Sequence, residues 1–311
     1  MSEPTIFDIP GGYRFIWALE RIQIKATRFA DDRKGLRTSC EIVVQSVDAQ
    51  VGGHLHQARL NLTSTTARND LARALRTTDD AMQWTELIET FCVQTLALHR
   101  QGEPVQMIGG QRAPGPGVKY RLWPMCPDGM ATILFGEGGT GKSLMALLMA
   151  YLVQVGGSWL GLRAIQGNVL YLDYETSADT MHERLAAIGA GLDMPAPQIA
   201  YRYCYRPLAE ETDTLLDMIG EKKIDYLVVD SLGLACGGDP SDPELAIRMM
   251  GALRELKRGS LLIDHISKMD NGGKPTPFGS VYKPNLARSV WYAKLGARVS
   301  MQQIGVSLVH R

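Results

Sequence analysis

Apolar and polar residues alternate over residues 13–30 and again over 37–49, as in Arg21-Ile22-Gln23-Ile24-Lys25 and Glu41-Ile42-Val43-Val44-Gln45. A period of two belongs to a strand with one buried face. The turn-rich ADDRKG between the two runs predicts a hairpin. A third strand is expected over 54–62, after the Gly52-Gly53 turn. The period then lengthens to that of helices, predicted over 66–76 and 80–100. Asp80, with Gln83 three residues on, has the form of a capping box, and Leu87, Phe91 and Leu98 fall near one face. Residues 1–108 therefore predict a small α+β module, and no residue in it names an activity.

The stretch GGQRAPGPG cannot hold a helix or a central strand, so 109–118 is expected to be a linker. Beyond it the pattern changes. Apolar runs at 131–135, 169–172, 226–229 and 261–263 alternate with helical segments. Strands apolar on both faces belong to a mostly parallel sheet flanked by helices. One helix is well marked: Asp242 and Pro243 start it, Leu245, Met249, Leu253 and Leu256 share a face, and Gly259 follows its end. Residues 119–311 thus predict one α/β domain.

Composition narrows the class. Of 311 residues, 45% are hydrophobic and 21% charged, which excludes a disordered, collagen-like or membrane-embedded chain. The longest apolar run, residues 144–153, is too short to span a bilayer. The N-terminal MSEPTIFDIP carries acids where a secretion signal has basic residues, so a cytoplasmic protein is expected. Cys40, Cys92, Cys126, Cys204 and Cys236 form no CxxC pair, against a disulfide framework or a zinc site. Charge is balanced overall at 33 basic and 33 acidic residues, but not locally: from Lys257 onward nine Lys/Arg face two acids. That surplus points to a polyanion.

Gly136-Glu137-Gly138-Gly139-Thr140-Gly141-Lys142-Ser143 satisfies G-x-x-x-x-G-K-[ST], with an apolar run before it and a helical one after. Such a loop turns backbone N–H groups inward around phosphates at a helix N-terminus. Lys142 reaches the β/γ-phosphates of ATP, and the Ser143 hydroxyl ligates Mg²⁺. The metal needs a further carboxylate, and Asp230 ends the apolar run 226–229; Asp225, before that run, reads as a solvated loop acid. Hydrolysis needs a group that orients or deprotonates water. Glu175, just past 169–172 in VLYLDYE, is the candidate, with Asp173 as competitor.

Together VLYLDYE, LVVDS and LLIDHISK behind the P-loop resemble the RecA-like P-loop NTPase core, nearest its RepA-type hexameric helicase branch of phage and plasmid ATPases. The resemblance covers about 119–311. It implies that Glu175 is the catalytic carboxylate and that His265 senses the γ-phosphate, a residue that taken alone reads as structural. It also implies a DNA loop over 268–277, where Lys268 and Lys274, with Lys283 beyond, are candidate phosphate contacts for single-stranded DNA. Arg288, nine residues after Gly279, matches an arginine that reaches a neighbouring subunit's ATP, with Arg298 as runner-up. A homo-oligomeric ring or filament follows from that role. Two departures stand against the family pattern: the chain stops after a strand-like 306–311, and the stretch 251–261 is short. Three activities remain open on these residues: a DNA motor or helicase, a recombination mediator, and a regulatory ATPase switch acting on protein partners.

Overall fold

Period-two alternation becomes an antiparallel sheet of five strands paired in chain order: β1 (Thr5–Ile9), β2 (Gly12–Trp17), β3 (Ile22–Asp31), β4 (Thr38–Ser46) and β5 (His54–Asn61). One face is buried, through Ile22, Ile24 and Ala26 on β3 and Cys40, Ile42 and Val44 on β4. The helices α1 (Thr65–Arg76) and α2 (Trp84–Gln101) cover it, with Leu71, Leu75, Leu87 and Phe91 joining Phe15 and Trp17 in one apolar cluster. The computed structural model describes residues 2–9, 11–32, 34–47, 53–102, 105, 107, 117–266, 275–298 and 304–311. It divides into two compact units, Met1–Arg112 and Ala113–Arg311; most of the expected linker lies outside the described residues.

Three elements of the first unit differ from expectation, the first being β1, since no strand is predicted before residue 13. The single strand expected over 13–30 is two, because residues 18–21 turn and Arg21 takes a left-handed φ of 58°. No Gly, Asn or Pro marks that turn. The second helix begins at Trp84 and not at Asp80, which is exposed. Burial of the Trp84 ring, whose Nε1 donates to the Asp79 carbonyl at 2.8 Å, fixes the start, and Asp79 Oδ1 accepts the Ala81 N–H within the preceding turn.

The second unit opens with β6 (Tyr120–Trp123), β7 (Cys126–Pro127) and β8 (Ala131–Gly136), followed by α3 (Lys142–Val155), β9 (Ser158–Trp159) and β10 (Leu162–Ala164). Then come β11 (Val169–Asp173), α4 (Ala178–Gly191), β12 (Ala200–Tyr203), α5 (Thr212–Lys222), β13 (Tyr226–Asp230), α6 (Leu232–Ala235) and α7 (Pro243–Glu255). The unit closes with β14 (Gly259–His265), α8 (Tyr282–Leu286), β15 (Ser289–Arg298) and β16 (Ile304–His310). The central sheet runs β12-β11-β13-β14-β8-β15-β16, parallel throughout except for β16, which pairs antiparallel with β15. Every residue of β11 and β13 is buried. Leu134, Val228 and Ile263 pack with Ala146 and Ala150 of α3 on one face. Ile133, Leu227 and Leu262 pack with Leu215 of α5 and Leu253 of α7 on the other. This is the mostly parallel, helix-flanked sheet expected of a RecA-like core. Gly259 opens β14 instead of capping α7, and the chain turns between them at Lys257, φ 50°. The strand-like 306–311 falls, up to His310, in β16, one of the sheet's two edge strands. Among the described residues no helix is long and apolar enough to cross a membrane.

Lys283 requires a correction. Its side chain is fully buried, with Nζ 3.5 Å from the buried Asp264 of β14 and 3.0 Å from the Phe278 carbonyl oxygen. A lysine already spent on an internal carboxylate cannot meet a nucleic-acid phosphate. Burial holds the Asp264 carboxyl above the usual carboxylate range, while the Lys283 charge and the His265 N–H pull it down. Lys283→Ala should cost about 3–5 kcal/mol, since it strands a buried carboxylate. Without the ammonium the folded carboxyl keeps its proton to a higher pH than in the wild type, so the deficit is smallest in acid, where both folded forms carry the proton, and grows as pH rises through the wild-type folded value, which already lies above the usual carboxylate range. Urea midpoints across pH check this; a wild-type midpoint at neutral pH would refute it.

Candidate active site

Parallel pairing delivers four strand ends to one edge. Gly136 of β8 lies beside His265 of β14, and Asp230 of β13 beside Asp173 of β11. In open α/β sheets ligands bind outside this carboxyl edge. Gly136 leaves no room for a side chain: a Cβ would stand 2.6 Å from the Ala293 carbonyl oxygen of β15. Gly139 and Gly141 both take φ 77°, the left-handed turn that wraps the loop. No side chain caps α3 at Gly141, which leaves its first-turn N–H groups to an anion. Lys142 is buried and its Nζ donates to the carbonyls of Gly136 (3.0 Å) and Glu137 (2.7 Å). Thr140 closes the loop through its hydroxyl to the Glu137 carbonyl at 2.9 Å. Burial lowers the Lys142 pKa, against the opposing pull of the Asp230, Glu175 and Asp264 charges.

Asp230 is 4% exposed, and its Oδ2 accepts the Tyr171 hydroxyl at 2.8 Å. The peptide that follows it, to Ser231, is cis. Burial raises the Asp230 pKa. The Tyr171 and Ser143 hydroxyls lower it, and the Glu175 and Asp173 charges raise it further. Its other oxygen, Oδ1, is buried with no hydrogen-bond partner among the described residues. A buried carboxylate oxygen without a partner, beside the P-loop serine, fits a divalent cation and its bound water. No cluster of three or more His, Cys, Asp or Glu that could hold a metal occurs among the described residues.

Glu175 and His265 meet across the mouth of this edge, Oε1 to Nε2 at 3.7 Å, with side chains 35% and 52% exposed. Asp173 is committed elsewhere. It is 1% exposed and accepts the backbone N–H groups of Glu175 (2.9 Å) and Thr176 (3.0 Å), with the hydroxyls of Thr176 and Tyr201 on its second oxygen. It thus shapes the turn that carries Glu175. The helix after that turn starts at Ala178 behind the Ser177 N-cap, so Glu175 stands outside it.

The expected site residues divide into three sets. Lys142, Ser143, Asp230, Glu175 and His265 gather at one edge. Arg288 lies at the other: its backbone N–H donates to Ala131, the first residue of β8, at 2.9 Å. At about 3.3 Å per strand residue it stands some 16 Å along the sheet from the P-loop. Lys268 and Lys274 lie outside the described residues, and nothing is described of the Arg298 side chain. Asp225 is not merely solvated, since its Oδ2 accepts the Asn168 N–H at 2.9 Å. Sequence reasoning missed Tyr171, which sits in an apolar run and reads as core, and the Asp264–Lys283 pair, whose members stand nineteen residues apart. It also passed over Tyr201-Arg202-Tyr203-Cys204-Tyr205-Arg206, an aromatic and basic stripe. There Tyr203 and Tyr205 meet edge to face at 4.7 Å, while Arg202 and Arg206 pair with Glu211 and Glu210.

A family described as an AAA domain, AAA_25, matches residues 94–271, more than half of the chain. No curated protein matches. Among solved structures the chain is similar to a KaiC-like protein from the hyperthermophilic archaeon Pyrococcus horikoshii OT3, at 16% identity and a TM-score of 0.44, over 60% of this chain and 79% of that one.

The two acids of VLYLDYE should separate by stability. Asp173→Asn loses charge-assisted bonds that an amide cannot replace and should cost about 1.5–3 kcal/mol. Glu175→Gln, exposed and accepting no backbone N–H among the described residues, should leave the urea midpoint unchanged. Equal midpoints for the two variants would show that Asp173 does not hold the turn.

Proposed function

The chain belongs to the AAA_25 family of AAA domains, and from that premise we propose that it is an ATP-hydrolysing, RecA-like motor acting on DNA in the cytoplasm as a homo-oligomeric ring or filament. The observation that carries the ATPase reading is the orphaned Asp230 Oδ1 on the edge that also presents Lys142, Ser143 and the Glu175–His265 pair. The glycine loop and the first turn of α3 bind the phosphates, and Lys142 leaves its loop carbonyls to meet the β/γ-phosphates. Ser143 and Asp230 would hold Mg²⁺, which when bound offsets the charge between those phosphates. Glu175 takes the proton of the attacking water. His265 senses the γ-phosphate through that carboxylate and passes the signal on; its Nε2 lies 3.7 Å from the Glu175 carboxylate, which supports this reading.

Arg288 serves a neighbour's ATP in this reading, because its own P-loop lies a full strand length away. Lys268 and Lys274 touch single-stranded DNA. A second reading, a regulatory ATPase switch acting on protein partners without DNA translocation, gains from one observation: Lys283, counted toward a DNA surface, is internal.

Lys142→Ala should abolish hydrolysis and weaken ATP binding; wild-type-like turnover would sink the P-loop assignment. Glu175→Gln should keep ATP binding and lose on the order of a hundredfold or more in hydrolysis. Hydrolysis measured with and without single-stranded DNA, alongside native mass, tests the motor. Stimulation by DNA in an oligomer supports it, and DNA-independent turnover with no DNA binding favours the switch.

A further inference from the structure

The sheet edge opposite the P-loop carries a cavity of about 380 Å³, formed by the starts of β8 and β14, the last turn of α7 and the turn between α8 and β15. Three arginines line it: Arg254 from the last turn of α7, Arg258 just before β14 and Arg288 just before β15, joined by Asn285. No acid is among the lining residues. Arg258 is fixed by its Nε to the Ile224 carbonyl at 2.7 Å and its Nη1 to the Lys257 carbonyl at 3.0 Å. Ser260, 1% exposed, lines the same cavity, and its Oγ has no hydrogen-bond partner among the described residues. A buried hydroxyl without a partner calls for a ligand or water. Met250, Leu253 and Leu286 add an apolar wall.

We propose that this cavity is a second ligand site, for a small organophosphate, with the phosphate on the three guanidiniums and its organic body against Met250, Leu253 and Leu286. A carboxylate would balance one of the three charges. A phosphate dianion balances two and offers enough oxygens for several bidentate guanidinium contacts. The Ser260 hydroxyl supplies a further donor. The phosphate is that of a free small molecule; a nucleotide held in a neighbouring copy's P-loop is the competing occupant, and a chain unable to load its P-loop excludes it.

Full-length Lys142→Ala protein, titrated by calorimetry with phenyl phosphate and with inorganic phosphate, gives the test. One saturable phenyl phosphate site per chain is expected, about tenfold tighter than for inorganic phosphate. Arg254→Gln and Arg288→Gln, each added singly with circular dichroism unchanged, should each weaken it about tenfold. Binding that disappears with Lys142→Ala belongs to the P-loop, a neighbour's nucleotide included, and overturns the proposal. Affinity unmoved by both arginine substitutions also overturns it, as does equal affinity for the two phosphates.

Discussion

Parallel pairing is the constraint from which the rest of this domain follows. When β11, β13, β14 and β8 run in one direction, their last residues share an edge, and no loop length has to be tuned to bring Asp173, Asp230, His265 and Gly136 together. The cost is burial on both faces, which is why these strands read as unbroken apolar runs. Chemistry is therefore confined to the one or two residues at each strand's end, and polarity changes abruptly there: Val229 is fully buried and apolar, Asp230 buried and acidic.

That edge gathers Asp173, Asp230 and Asp264 with little solvent to screen them, and among the described residues only Lys142 and Lys283 are buried countercharges. Each acid is treated differently. Asp173 is saturated by two backbone N–H groups and two hydroxyls. Asp264 has an internal ammonium. Asp230 has a tyrosine on one oxygen and, among the described residues, no hydrogen-bond partner on the other, although the Ser143 hydroxyl is near enough to lower its pKa. Satisfied buried acids hold shape, whereas an unsatisfied one has binding capacity left over. The same comparison separates the two acids of VLYLDYE: Asp173 is buried and bonded within its turn, whereas Glu175 is exposed at the mouth of the edge.

Legibility in the sequence followed how local the determinant was. The P-loop is contiguous, so eight residues carried the loop, the helix start and the lysine. The parallel sheet was legible because burial on both faces leaves a composition mark. The first turn near Arg21 was not, because the left-handed residue is an arginine and no turn-forming residue flags it. The start of α2 was misplaced because burial of Trp84 outweighed a capping pattern at Asp80, a contest decided by packing and not by local propensity. Tyr171 and the Asp264–Lys283 pair depend on contacts between distant elements, which no window along the chain contains.

Segment charge overcounts the surface cations for a related reason. A surplus counted from Lys257 onward treats every cation as surface, yet the structure distributes them by depth and by edge. Lys283 cancels Asp264 inside the domain. Arg258 is tethered to two carbonyls, and Arg311 lies 5.5 Å from the centre of the Tyr292 ring. Arg258 and Arg288 line a cavity at the amino ends of the strands, whereas the P-loop sits at their carboxyl ends. The positive character of this region is therefore split between the two ends of the same sheet, with β8 running from one to the other. Within one subunit a phosphate held at one end is beyond reach of the guanidiniums at the other, so any reaction that uses both must bring a second molecule to the opposite edge.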